Sequence, residues 1–187
     1  EGSSDAWNLR ELHMLDTLEA VLAHGGDEAK IVVWAHDVHV GDAAGTEMGA
    51  RQEVSLGGLA RRSLGREAVR LVGLGTDRGA VFAAEDWDGP GRVMTLRPSS
   101  PDSVGHLMHR TGVERFVLPL RPEHLATDVR RGLHVPRLGR AIGVVYRPGT
   151  ERASHGLRTV LPEQFDEYAW IAETRALTPL AEPRPAG

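Results

Sequence analysis

At 187 residues the chain is long enough for one ordinary hydrophobic core and too short for two independent domains of usual size. A net charge of −4 leaves no basic footprint for nucleic acid, and 41% hydrophobic with 26% charged residues is the balance of a globular protein. The absence of cysteine excludes disulfides, thiolate metal sites and a cysteine nucleophile and suits the cytoplasm, while no apolar run reaches membrane-span length and no signal-peptide pattern opens the chain.

In chain order, residues 7–24 carry Leu9, Leu12, Leu15, Leu18 and Leu22 at close to helical spacing. Asp5 is positioned to cap this helix and Gly25-Gly26 to stop it. Arg10 and Met14 lie four apart on one face, where the plain reading is a surface ion-pair partner and a core filler. Residues 31–34 (IVVW) are β-branched, aromatic-ended and too few for a helix, so they read as a buried strand. That run empties into His36-Asp37-Val38-His39 and then Gly41-Asp42. In open α/β sheets ligands bind just outside the carboxyl ends of strands, which makes His36 and His39 the leading candidates for chemistry.

Residues 43–53 are small and polar and read as a loop at the mouth of that crevice. Residues 55–64 form a short helix, whose early Gly57-Gly58 suits close packing or an anion at the helix end. Strands over 68–74 and 80–84, joined by the turn 75–79, give a hairpin signal. Gly73-Leu74-Gly75 is no dinucleotide fingerprint, because the third glycine is missing and a strand, not a helix, follows. Next come a short strand over 92–96 and a helix over 103–110 with Ser100 or Asp102 as caps. His106 and His109 on that helix read as a solvated face, with no carboxylate nearby in sequence to support ligation. A strand over 114–120 has Pro119 near its end, marking an edge.

An amphipathic helix over 125–133 precedes a strongly apolar strand over 140–146, and a second polar cluster follows at 147–155. The last strand covers 168–172, and the Pro- and Ala-rich tail from 179 onward reads as disordered. The expected architecture is α/β, with a central, mostly parallel sheet containing a hairpin and flanked by helices. Residues 1–180 would form one domain portion and 181–187 a disordered tail.

Three readings of His36-Asp37-Val38-His39 stay open at this point. Two histidines with Asp37, Asp42 or Glu47 suit a zinc-like ion, though in a strand residues three apart face opposite ways, so both reach one ion only through a turn. Metal-free acid–base hydrolysis is the second, since histidine takes a proton from water near neutral pH. A purely structural tight turn is the third. A serine triad has less support, because the Gly-x-Ser-x-Gly elbow is absent. The second cluster places Glu151, Arg152 and His155 in one loop beyond a strand.

Taken together, these stretches resemble the erythromycin esterase family, particularly members joined to phosphoribosyltransferase domains. The resemblance runs through Arg10, Met14 and Thr17, then Trp34-Ala35-His36 with His39-Val40-Gly41-Asp42, then Glu47-Met48-Gly49. It continues through Val72-Gly73 with Gly79 and Ala83, and then Ile142-Gly143-Val144-Val145-Tyr146. It closes with Glu151-Arg152, Ser154-His155, Gln164-Phe165-Asp166 and Glu173-Thr174-Arg175-Ala176-Leu177. It implies hydrolysis of a carboxylic ester, in the type members a macrolide lactone whose opening confers antibiotic resistance. A histidine general base would activate water with no cofactor and no needed metal.

On that basis His36 and His39 are the expected catalytic residues. Arg10, Met14, Asp37, Glu47, Met48, Arg152 and His155 would contact a small-molecule ester substrate. Two departures stand out. The family usually has Asn where Asp37 stands, and a carboxylate there alters local charge and histidine pKa. After Ser154-His155 the family continues with aromatics, whereas this chain reads Gly156-Leu157-Arg158.

Nothing in the sequence matches the N-terminal half that holds the family's proposed base histidine and its glutamate. The chain also starts at Glu1 without an initiator Met, and so reads as the C-terminal portion of an esterase-like domain, one cleft wall that is inactive alone. Its expected partners are the missing half, a fused phosphoribosyltransferase domain or a second copy. The competing expectation is a non-catalytic module that binds a ligand or metal.

Overall fold

A computed structural model describes residues 3–180, so the tail expected over 181–187 lies outside the described residues. The first helix, α1 (Ser4–Gly25), starts where the Ser3 hydroxyl accepts the Ala6 N–H. Asp5 sits in the first turn instead of at the cap, a good place for a negative charge but two residues too late to cap. Gly26 ends the helix at φ 82°, a conformation that glycine adopts without penalty. Leu9 and Val21 are exposed, and the residue α1 buries is Glu11. The helix is therefore anchored by polar bonds: Trp7 Nε1 donates to the Val54 carbonyl at 2.7 Å, and Asn8 pairs with Gln52 and Val54.

The strand expected over 31–34 does not form. Val32 is 91% and Trp34 86% exposed, and the segment has no ladder partner among the described residues. Apolar β-branched composition favours a strand only where a neighbour completes the hydrogen bonds and a second layer covers the side chains. The histidine block that follows is a helical turn, α2 (Asp37–Val40). Residues 43–53 carry a 3₁₀ turn and α3 (Glu47–Ala50); they pack on α8 (Leu161–Gln164), with Val160 N–H donating to the Gly45 carbonyl, and do not line the cavity described below. Then α4 (Leu56–Leu64) starts at its Ser55 cap. Gly57 explains itself as close packing: a Cβ there would collide with the Val40 and Gly41 carbonyls at the end of α2.

The α/β class expected from sequence is the one observed, with the strands in three small sheets, two mixed and one antiparallel, in place of one mostly parallel sheet. In the first, β7 (Glu167–Ile171) lies between β1 (Val72–Gly75), parallel, and β4 (Arg115–Pro119), antiparallel. Pro119 does end an edge strand. In the second, β2 (Arg78–Ala83) pairs antiparallel with β3 (Arg92–Leu96) and parallel with β8 (Glu173–Thr174). The third is a two-stranded ribbon of β5 (Arg137–Arg140) and β6 (Gly156–Thr159).

Two expectations give way here. The hairpin over 68–84 is absent, since β1 and β2 join different sheets: Asp77 and Arg78 N–H both donate to the Ala172 carbonyl, and the chain switches sheets at that point. The strand over 140–146 shrinks to β5, with Val145 making one bridge to Ala84. The helices α5 (Val104–His109), capped by Ser103, and α6 (Thr127–Leu133) fall where expected, and α7 (Glu151–Ser154) occupies the second polar cluster.

The main core packs Trp170, Phe165 and Tyr168 against Leu71, Met108, Leu120 and Leu161. A smaller one gathers Ala83, Met94 and Leu96 around Tyr146. Beside the main core sits a charged hub. Asp166, with no exposed surface, accepts the Leu71 N–H at 2.8 Å and lies 2.9 Å from Arg61 and 3.0 Å from Arg121. Burial works against its charge, but these donors win and hold its pKa below the usual carboxylate range. Among the described residues no helix is long and apolar enough to cross a membrane.

Candidate active site

A cleft of about 920 Å³ opens on the described surface, at the upper end of the range for small-molecule sites. The carboxyl ends of the parallel strands β1 and β7 open into it through Leu74, Gly75 and Ile171. His36 and Asp37 line it from the start of α2, and Glu151, Arg152 and His155 from α7 and its end. The two histidine-bearing loops thus share one cavity. Apolar wall comes from Phe82, Leu138 and Ile142.

His36 caps α2: its Nδ1 accepts the Val38 N–H at 3.2 Å, so Nε2 carries the proton and donates to the Ile142 carbonyl at 3.0 Å. Burial depresses its pKa, the Ile142 bond opposes that, and the charge of nearby His39 adds to the depression. His36 is therefore a neutral ring with both nitrogens engaged. Asp37 has one oxygen held by the Leu74 N–H at 3.2 Å. Burial pushes its pKa up to about 6, with the Leu74 bond pulling it back. Behind it the Tyr168 hydroxyl is raised by burial and by the Asp37 charge.

On the opposite wall Arg140 donates to Glu151 Oε1 at 2.8 Å and to the carbonyls of Asp77 and Arg97 at 2.9 and 2.7 Å. Tyr146, fully buried, donates to Glu151 Oε2 at 2.6 Å. His155 Nε2 accepts the Arg147 N–H at 2.9 Å, and burial lowers its pKa. Arg152 makes a two-point pair with Asp102 at 2.8 and 2.7 Å, which drives the Asp102 carboxyl far below the ordinary range.

The other expected residues lie elsewhere. His39, one helical turn from His36, turns away from the cleft toward α1. Its Nδ1 is 2.6 Å from Oε1 of the buried Glu11, and its ring stacks on Trp7 at 4.9 Å and 8°. Arg10 lies over the same Trp7 ring at 4.7 Å. Met14 is half-buried on α1, Met48 belongs to the core, and Glu47 faces Arg51 at 3.6 Å. None of these lines the cleft. Among the described residues no three His, Asp or Glu side chains converge as a metal site, and His36 and His39 face different partners.

Sequence reasoning passed over Glu11 and Arg140. Glu11 sits inside a leucine repeat with nothing local to distinguish it from a solvated acid, and Arg140 opens what reads as an apolar run.

The family model described as erythromycin esterase matches residues 2–174. The chain belongs to the erythromycin esterase family. Solved structures carry the same fold. A protein from Bacillus cereus superposes with a TM-score of 0.74 at 17% identity, over 92% of this chain and 40% of that one. A succinoglycan biosynthesis protein gives 0.72 at 21%, over 94% and 40%. A mutant erythromycin esterase in its open conformation gives 0.55 at 15%, over 89% and 37%. This erythromycin esterase family chain thus spans about two fifths of the length of the solved relatives it matches.

Proposed function

We propose that the chain is one wall of a hydrolase cleft in which water, activated by histidine, attacks a carboxylic ester of the macrolide-lactone kind. The observation that carries this reading is that the loops bearing His36 and His155, far apart in sequence, open on one cavity. In that cavity the neutral His36 ring and the Asp37 carboxyl, which keeps its proton up to about pH 6, supply polar groups beside an apolar wall. Arg140, braced by Glu151, adds a fixed positive charge. His39 stands one turn behind them with its own acid. The upstream half of a longer domain, a fused phosphoribosyltransferase domain or a second copy would complete the site and cover the exposed residues 31–34.

The test is hydrolysis of a panel of aryl esters and a macrolide, with and without chelator, on this chain supplied with the upstream half and on the His36→Ala and His39→Ala forms of that assembly. Chelator-insensitive turnover that falls at least tenfold in one of the variants is the expected result. Turnover indifferent to both substitutions sinks the assignment.

A second reading, ligand binding without turnover, draws on one feature. Val38 and Ile142 take both ring nitrogens of His36, and Arg147 takes Nε2 of His155, so neither cleft histidine offers a free lone pair. That reading predicts calorimetric binding of a macrolide with no product, and multiple turnovers exclude it.

A further inference from the structure

The chain is acidic, yet its cleft is not. Four arginines line the cavity, Arg97, Arg140, Arg152 and Arg175, against two acids, Asp37 and Glu151, while the whole chain carries a net charge of −4. Two of the four are already matched. Arg140 distributes its donors over Glu151 and the carbonyls of Thr76, Asp77 and Arg97. Arg152 is held in its two-point pair with Asp102. Arg97 and Arg175 differ from both: their side chains are exposed in the cleft, and among the described residues no acid pairs with either.

The main chain beneath these two side chains is fixed. The Arg97 N–H donates to the Tyr146 hydroxyl at 3.4 Å, and the Arg97 carbonyl accepts from Arg140 at 2.7 Å. Arg175 directly follows Thr174, where β8 pairs with β2. Leu96 and Thr174 stand in register on the two sides of Gly79, so the arginines that follow them are rooted on either side of β2, about 10 Å apart across two strand spacings. Two long side chains at that spacing can close on one carboxylate or phosphate, each presenting a planar fork of N–H donors. Exposed ion pairs are weak in open water, but the apolar wall of Leu138 and Ile142 focuses the field inside the cleft and limits screening.

We propose that the cleft takes an anionic ester, one whose carboxylate or phosphate group is held by Arg97 and Arg175; this rests on the hydrolase reading above and narrows its substrate class. The two arginines recognise the substrate and make no bond in the reaction. They set specificity through KM.

The test compares three matched aryl esters on this chain supplied with the upstream half: one neutral, one with a carboxylate at the far end of the acyl group, one with a phosphate there. At low ionic strength kcat/KM for at least one anionic ester is expected to exceed that of the neutral ester at least tenfold. The difference should lie in KM and shrink as salt is raised. In the double variant Arg97→Gln, Arg175→Gln the ratio of anionic to neutral kcat/KM is expected to fall at least tenfold. The anionic ester that loses more identifies the group as carboxylate or phosphate. Equal kcat/KM for all three esters, or a preference that survives in the double variant, overturns the proposal.

If no ester is turned over, the hydrolase reading fails and the anion site is judged by itself. Calorimetric titration then uses the amide analogues of the same three compounds. Binding of a charged amide that weakens with salt, and at least tenfold in the double variant, is the expected outcome. No binding, or binding no tighter than that of the neutral amide, overturns the proposal.

Discussion

Asp37 is the residue whose charge costs the folded protein most visibly. Its pKa rises from 3.8 to about 6 on burial in the cleft. Below pH 3.8 the carboxyl is protonated in both states and contributes nothing. Between 3.8 and 6 the unfolded chain releases its proton while the folded one holds it, so stability falls as pH rises through that window, and the penalty is constant above it. Asp37→Asn keeps an acceptor for the Leu74 N–H and removes the charge. Melts at pH 7.5 should show a gain of about 1–2 kcal/mol, allowing for partial contact with water, and melts at pH 3.5 almost none. His36 and His155 act on the other side. Both pKa values are depressed by burial, so their contribution turns unfavourable as pH drops below 6.5, when the unfolded imidazoles take up protons first.

Among the elements, the contact between α2 and α4 sets where both histidines stand. Gly57 lets the start of α4 press against the Val40 carbonyl, and a methyl there must displace backbone. Gly57→Ala is expected to cost about 2–3 kcal/mol, read from the urea midpoint, and to reduce hydrolysis through movement of α2. This packing was half legible in the sequence, where a glycine pair in a helix allowed either close approach or an anion. The elements that sequence did locate, α1, α4, α5, α6, β3, β4 and β7, each carry their own periodicity, cap or breaker. Those it misplaced depend on distant partners. Residues 31–34 look like a strand by composition yet find no ladder, and 140–146 keeps only its first residue within β5. The candidate site divided the same way. His36, Asp37, Arg152 and His155 were readable as polar clusters in loops and do meet in the cleft. Glu11 became visible only when three helices came together around it.

At the scale of the whole molecule the Asp166 hub joins the entry to β1, the side of α4, the chain after β4 and the start of β7. Arg61 and Arg121 keep only 5% and 9% of their side-chain surface, so neutralising the acid they share leaves each buried guanidinium with a single carboxylate, Asp42 for Arg61 and Glu67 for Arg121. Asp166→Asn is expected to remove about 3–5 kcal/mol, a large share of the stability of a domain this size, measured by chemical denaturation.

The same hub has a kinetic side. Its bond to Leu71 spans 95 residues and its bond to Arg121 spans 45, and β7, which begins one residue later, supplies the centre of its sheet. Long-range closures of this kind slow folding. On a ribosome, where chains lengthen at roughly 5–20 residues each second, Arg61 and Arg121 emerge well before their counter-ion. The first sheet can close only after residue 171 has been made, so the segment from β1 to β7 is expected to stay open until then and to close around residue 166.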